Sequence, residues 1–197
     1  MSPCSGERLK RGTATGSCGL AIISDMRRKL TSYMLPAVVF MLCTFSMAKD
    51  NVKTAIKDAN GKTLGWAMVK KTGSGVTVRL TLDHMPPGEH AVHFHQVAKC
   101  DGPDFKSAGP HFNPEGKQHG LQNPDGPHAG DMDNFTVDGK GKAAVDLFNK
   151  EVNLGSDARS LFSNGGTAIV VHAKPDDMRT DPSGNSGDRI ACGVITK

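Results

Sequence analysis

The sequence of 197 residues lacks any run of arginine and lysine with interleaved aromatic residues, and most of it carries no net charge. Residues 1–48 hold six of the 24 Lys and Arg and two of the 20 Asp and Glu, which leaves 18 of each sign in residues 49–197. A neutral domain without a basic patch argues against a nucleic-acid partner. The basicity of the whole chain therefore belongs to its N-terminal part.

Long apolar runs are also missing. Residues 30–45 are mostly apolar, but polar residues and a proline interrupt them, and the run is short for a membrane-spanning helix. A positive stretch precedes this run, and Ser46-Met47-Ala48, with small residues at its first and third positions, follows it, which is the order of a secretory signal. We predict that residues 1–48 are an N-terminal extension and signal peptide, with a retained membrane anchor as the alternative. The remaining domain, residues 49–197, would be exported to the periplasm or outside the cell, with no membrane contact once the leader is cleaved.

Cysteine is scarce in the predicted domain. Of five cysteines, three lie in residues 1–48, and only Cys100 and Cys192 remain. An even pair in a protein sent to an oxidising compartment predicts a disulfide, with two buried free thiols as the alternative. The bridge would close a loop of about ninety residues, which chain entropy values at about 4 to 5 kcal/mol.

Helical periodicity is absent after residue 50, and short alternating runs between turn residues take its place. Valine and leucine at four alternate positions between residues 76 and 82 indicate a strand with one apolar face. Further strands are expected at residues 64–69, 89–96 and 167–171. About eight such strands predict an all-β antiparallel sandwich or flattened barrel.

Two long segments of this domain have no period at all, residues 97–130 and 173–189. Loops of that length in a compact domain are usually functional. The first carries Cys100 and three histidines, and the second carries Asp176 and Arg189. We therefore expect the two loops to build the site.

Histidine is what the domain does have. His93 and His95 are two apart on the strand expected at residues 89–96, so that both rings project from one face. His172 ends the buried strand that could lie opposite. With His111 as a fourth imidazole, the set matches the tetragonal nitrogen arrangement that Cu(II) prefers.

A second set shares one member with the first. His111, His119, His128 and Asp131 offer three imidazoles and a carboxylate, a closed tetrahedral shell typical of structural zinc. A single histidine is more often a surface or core residue than a ligand. Two interlocking sets in one β domain instead predict a redox metal beside a structural one, bridged by His111.

At these residues the chain resembles the copper/zinc superoxide dismutase family, from about residue 51 to residue 197. The resemblance is carried by these motifs: His93-Phe94-His95, residues 109–114, the spacing of His119, His128 and Asp131, Val171-His172, and residues 184–195 with the sequence GNSGDRIACGVI. Residues 174–177 and 181–184 are similar to bacterial exported members. The stretch from His172 to Arg189 is shorter than in the animal enzymes.

The resemblance implies an eight-stranded antiparallel Greek-key β-barrel or sandwich with two long functional loops. It also implies an oxidoreductase that disproportionates superoxide to dioxygen and hydrogen peroxide. Its copper would be bound by His93, His95, His111 and His172. Its zinc would be bound by His111, His119, His128 and Asp131.

The resemblance implies roles for two further residues. Asp176 would hydrogen-bond His93 and His119 and orient both rings. Arg189, catalytic together with His111, would attract and position superoxide, the small-anion substrate. Because the preceding stretch is short, we expect Lys174, Arg179 and Arg189 to steer the substrate.

Three questions stay open at this point. His90 is expected to pack near the site and His84 to be an exposed turn residue, and neither is assigned to a metal. A homodimer is compatible with the sequence, but no interface can be located. A non-catalytic exported copper or zinc binder is the rival function, which the complete donor set and Arg189 disfavour.

Overall fold

Residues 50–197 are the part of the chain that the computed structural model describes, and they form nine strands and two short 3-10 helices. The predicted extension and signal peptide lie outside the described residues. The strands are β1 (Asn51–Asp58), β2 (Thr63–Thr72), β3 (Gly75–Leu82), β4 (Gly88–His90), β5 (Val92–His95), β6 (Phe135–Val137), β7 (Ala143–Asn149), β8 (Thr167–His172) and β9 (Arg189–Ile195). The 3-10 helices are Lys106–Ala108 and Ser163–Gly165.

Seven strands form one antiparallel sheet in the order β5-β8-β9-β1-β2-β3-β7, and β4 pairs with β6 in a small second sheet. The prediction of an all-β antiparallel fold with two long loops is confirmed. The pairings of β1 with β9 and of β3 with β7 join strands that are far apart in sequence. Long-range pairing of this kind brings distant segments together in a curled sheet around the main hydrophobic core.

The structure has nine strands where about eight were expected, because the strand expected at residues 89–96 is divided at Ala91. The backbone N–H of Ala91 donates to Lys174 O, and its carbonyl accepts from His172 N. These bonds take Ala91 out of either ladder, so that β4 pairs with β6 while β5 pairs with β8. An alternating pattern cannot reveal such a change of partner.

The core follows the alternation read from the sequence. The apolar residues of β3 are buried and the residues between them face outward or lie partly covered. All six residues of β8 are buried, as a continuous apolar run predicts. Each large apolar side chain buried in this way contributes roughly 1.5 to 3 kcal/mol relative to exposure.

The first long loop (residues 96–134) and the second long loop (residues 173–188) connect β5 to β6 and β8 to β9. A disulfide between Cys100 and Cys192 ties the first loop to β9, as predicted, with the two Cα atoms 5.7 Å apart. Phe105 packs in the small apolar cluster beside this bridge. Within residues 50–197, no helix has the length and apolar character needed to cross a membrane.

Candidate metal centre

Four histidines meet where β5, β8 and the first long loop adjoin. His93 and His95 come from β5, His172 ends β8, and His111 forms an isolated bridge with His95. Each ring offers one nitrogen, and these four atoms lie within 4.8 Å of one another. We call His93, His95, His111 and His172 the four-histidine cluster, and all four are buried.

A second buried group lies entirely within the first long loop. His111, His119, His128 and Asp131 form it, and we call it the Asp131 cluster. The Nδ1 atoms of its three rings lie 2.9, 3.1 and 3.5 Å from Asp131 Oδ1, in the order of the sequence. A tetrahedral zinc with ligands at about 2.0 Å would separate them by about 3.3 Å. The observed separations match the edges of such a tetrahedron.

His111 belongs to both clusters through its two different nitrogens. Its Nδ1 faces Asp131, while its Nε2 is buried and has no hydrogen-bond partner among residues 50–197. Its ring centroid lies 4.1 Å from that of His93 and 5.1 Å from that of His119. The ring therefore stands between the two groups.

Unpartnered nitrogens supply a test of whether metals fit here. In the described part of the chain, His93 Nδ1, His111 Nε2, His119 Nδ1 and His128 Nδ1 are buried without a hydrogen-bond partner. Buried polar atoms of folded proteins are otherwise almost always paired. A cation in each cluster would satisfy these lone pairs, and the donor sets suit copper and zinc.

Asp176 of the second long loop lies between the clusters and is buried. Its carboxylate is 2.8 Å from His93 Nε2 and 3.0 Å from His119 Nε2. Asn134 holds its backbone, accepting from Asp176 N and donating to Asp176 O, each at 2.9 Å. One carboxylate thus orients a ring of each cluster.

Burial keeps the four-histidine cluster neutral. It lowers the pKa of His93 and of His172 to about 4 and that of His111 to about 3. The pKa of His95 is also held well below its usual value, first by burial and then by the charge of His111. Neutral imidazoles keep the lone pairs that a metal needs.

The Asp131 cluster differs in containing a carboxylate that is held in its charged form. Burial alone would raise the pKa of Asp131, but the imidazoles of His111, His119 and His128 hold it far below its usual range. Burial alone would lower the pKa of His119, but Asp131 and Asp176 raise it to about 9. An anionic carboxylate and three imidazoles favour a bound cation.

Arg189 begins β9 and pairs with His172 in the β8–β9 ladder, which places it beside the four-histidine cluster. After burial, its charge contributes to the lowered pKa of His95 and His172. Its Nη1 donates to Phe105 O at 2.8 Å, beside the disulfide. Burial lowers the pKa of the guanidinium itself. A surface cavity of about 500 Å³ opens over this side chain.

The charges around this cavity differ in part from those expected to steer the substrate. Its lining holds Arg189 and Lys106 together with Asp104 and Asp188, but neither Lys174 nor Arg179. The Arg179 guanidinium instead donates to the side chain of Gln122. The sequence analysis did not single out Lys106, whose only signal is its place in the segment between Cys100 and His111.

The two unassigned histidines lie outside both clusters. His90 is buried, with its ring nitrogens 2.8 Å from the carbonyl oxygens of His172 and Pro86. It therefore packs against the end of β8. His84 is an exposed turn residue with a φ of 62°.

Two further residues support the clusters, and neither was assigned a role from the sequence. The buried amide of Asn149 in β7 donates to the carbonyl oxygens of Ala129 and Asp131. Gly184 has a φ of +61°, and a Cβ at this position would collide with the Asp176 carboxylate. These contacts join residues far apart in sequence, so no local pattern signals them.

The fold and the site together are those of an antiparallel β protein with two buried donor clusters that have one histidine in common and could each hold a metal ion. A model of the copper/zinc superoxide dismutase (SODC) family matches residues 64–195. The chain therefore belongs to the copper/zinc superoxide dismutase family, a family of oxidoreductases that use copper and zinc.

The chain is also similar to individual superoxide dismutases and to a superoxide dismutase-like protein. The chain is 48% identical over 162 residues to Superoxide dismutase [Cu-Zn] 1 of Aquifex aeolicus (strain VF5), covering 81% of this chain and 96% of the relative. It is 42% identical over 143 residues to a Superoxide dismutase [Cu-Zn] of Caulobacter vibrioides, covering 71% and 82%. A crystal structure of a double mutant of a SOD-like protein from Bacillus subtilis matches with a TM-score of 0.72 and 35% identity, over 74% of this chain and 97% of that one.

Proposed function

We propose that this chain disproportionates superoxide to dioxygen and hydrogen peroxide, with copper in the four-histidine cluster and zinc in the Asp131 cluster. The proposal depends mainly on His111, whose two nitrogens face the two clusters. One ring in that position would bridge the two ions. The buried, unpartnered nitrogens of both clusters support it.

Bound copper supplies one-electron chemistry, in which one superoxide gives up an electron and a second superoxide receives it. Arg189 binds the anion at the cavity and places it over the cluster. His111 holds a proton at Nε2 between the two half-reactions and delivers it to the reduced oxygen. The second proton comes from solvent, so that two superoxide anions and two protons give dioxygen and hydrogen peroxide.

The surroundings of His111 keep the ring in place for that task. Asp131 and the other members of its cluster retain the ring through Nδ1 when Nε2 carries a proton. Asp176 holds His93 and His119 in fixed orientations through the Nε2 atom of each ring. The ring can therefore change its partner at Nε2 without swinging away.

Two measurements test the function. Metal analysis of the purified chain is expected to show about one copper and one zinc per chain, as the two clusters require. Replacing Arg189 by Ala should slow superoxide decay by roughly tenfold or more, because a cation beside the metal is lost, while copper is retained. Arg79→Ala, which removes an exposed arginine of β3, is the matched control.

The same experiment distinguishes the enzyme from the rival function, a non-catalytic metal binder. A non-catalytic copper or zinc binder would bind metal and show no superoxide decay for Arg189→Ala to reduce. Copper-loaded wild-type protein without activity would overturn the proposed function.

The proposal includes export of a mature domain made of residues 49–197 after removal of residues 1–48. The charge order of the leader and the disulfide support an oxidising compartment. N-terminal sequencing of protein recovered from the periplasm or medium tests the cleavage after residue 48. The neutral domain gives no support for a nucleic-acid partner, and a homodimer remains compatible with it.

A further inference from the structure

Each ring of the four-histidine cluster has one nitrogen that faces the other rings and one that meets an acceptor outside them. His172 Nε2 lies 3.4 Å from His95 Nε2, inside the cluster. On the outside, the other three rings meet either a carboxylate or, for His95, a backbone carbonyl. For His172 the nearest outer acceptor is the hydroxyl of Ser186.

The contact between Ser186 and His172 is fully enclosed. Ser186 Oγ lies 3.1 Å from His172 Nδ1, and Ser186 has no exposed surface. The carbonyl of Gly187 also faces this nitrogen, but at 3.3 Å, which is longer than a typical N–H···O bond. Within residues 50–197, the hydroxyl has no other hydrogen-bond partner, so this is the one hydrogen bond that Ser186→Ala would remove.

Backbone bonds fix where the hydroxyl stands. The N–H of Ser186 donates to Ser183 O, and its carbonyl accepts from Lys174 N at 2.9 Å. Gly187 follows with a φ of +74° and lets the chain turn toward β9. The hydroxyl is therefore held against the ring by the second long loop and cannot move away from it freely.

The chemistry of a metal-bound imidazole gives this contact a consequence. A neutral ring that binds a metal through Nε2 carries its proton on Nδ1. A group that accepts a hydrogen bond from Nδ1 makes Nε2 more basic and therefore a stronger ligand for the metal. A serine hydroxyl accepts more weakly than the carboxylate that serves His93. We therefore expect His172 to be a weaker metal ligand than His93, with a ligand strength that depends on the side chain of residue 186.

We propose that Ser186 is a positioning residue for His172. The Ser186 hydroxyl accepts a hydrogen bond from His172 Nδ1, keeps the lone pair on Nε2 and so raises the affinity of the four-histidine cluster for copper. This inference depends on the assignment of His172 to copper under the proposed function. It predicts an effect on copper but not on zinc, since His172 is not a member of the Asp131 cluster.

The test compares three variants of the zinc-loaded full chain. Ser186→Ala should lower the Cu(II) affinity, measured by competition with a chelator, by about threefold to tenfold, because Gly187 O remains as a second acceptor. The same variant should shift the electron paramagnetic resonance spectrum of Cu(II) and make the copper reduction potential more positive. Ser186→Thr, which retains a hydroxyl, should restore all three properties toward wild type.

Ser160→Ala is the matched control. Ser160 is equally buried, and its hydroxyl donates to Gly155 O at 2.8 Å, outside both clusters. This control should lose stability without a change in copper affinity or spectrum.

Three results would overturn the role of Ser186: a Ser186→Ala protein with wild-type copper affinity and spectrum, an equal loss of copper and zinc, or a variant that does not fold. If the wild-type chain itself fails to bind copper in this assay, the proposed function fails first. The two failures can therefore be told apart.

Discussion

The sheet and the two long loops of this protein are held together by different kinds of contact. In β3, buried apolar side chains alternate with outward residues, and their burial needs no specific partner. The first long loop also buries apolar side chains, but beside them it buries three histidines and Asp131, each of which needs a partner of defined geometry. Apart from the histidines at the site, the sheet therefore depends mainly on apolar burial. The loops depend in addition on hydrogen bonds, one disulfide and the metals that we propose for the clusters.

This difference has a physical consequence for the response to mutation. Loss of an apolar side chain from the sheet lowers the free energy of unfolding, but leaves the metal donors in place. Loss of a donor from the loops removes metal affinity, and with it any stability that metal binding contributes. The four predictions below test this separation, from the largest expected effect to the smallest.

His111→Ala should have the largest effect, because the ring contributes a donor to both clusters. We expect a loss of about 100-fold or more in affinity for copper and also for zinc, with loss of superoxide decay. His95→Ala is the comparison, and it should weaken copper alone because His95 is absent from the Asp131 cluster. Full copper and zinc occupancy with retained activity in His111→Ala would contradict the shared ligand.

Leu80→Ala tests the sheet. Leu80 is fully buried in β3, and the cavity left by its truncation should lower the free energy of unfolding by about 3 kcal/mol. Denaturant titration measures this change. Metal content and activity of the folded variant should equal those of wild type, and a parallel loss of zinc would show that the sheet and the loops are not separable.

Asn149→Ala tests the side chain that links the two regions. Its amide extends from β7 to the carbonyl oxygens of Ala129 and Asp131, which would be left unpaired and buried. We expect a loss of about 1 to 3 kcal/mol of stability together with weaker zinc binding. Asn153→Ala, which removes an amide bonded to the exposed Asp157, should change neither by a comparable amount.

Asp104→Asn should have the smallest effect, in the direction of higher activity. Asp104 forms an exposed ion pair with Lys106 in the lining of the Arg189 cavity. Removing its charge should speed superoxide decay by about twofold to fivefold at low salt, and the gain should vanish at high salt. Asp146→Asn makes the same change of net charge in another part of the molecule, and an equal gain there would refute local steering.

The fold was predictable from the sequence as far as local periodicity extends. The alternation in β3 and the apolar run of β8 correctly indicated an outward face in one strand and complete burial in the other. The break at Ala91 was not predictable, because it results from backbone bonds to Lys174 and His172.

The candidate site likewise has a part that the sequence predicts and a part that only the structure shows. Donor type and spacing brought out both clusters, and the structure brings each set together. The contacts that hold the donors are different, since Asn134, Asn149 and Ser186 approach from other segments of the chain. Nothing in the local sequence marks Asn134 or Asn149. Ser186 lies within the motif at residues 184–195, but the motif does not show which ring its hydroxyl contacts.

The sequence by itself determined the kind of donors, their order along the chain, the pairing of Cys100 with Cys192 and the β class of the fold. The positions of His111 between the two groups and of Asp176 against a ring of each were expected from the family resemblance, and the tertiary structure supplied their distances. Only the tertiary structure decided that Lys106, rather than Lys174 or Arg179, joins Arg189 at the cavity. The reason is physical: periodicity and ligand chemistry act over a few neighbouring residues. Distances between nitrogens, carboxylates and hydroxyls are set instead by how distant strands pair and how the loops between them close.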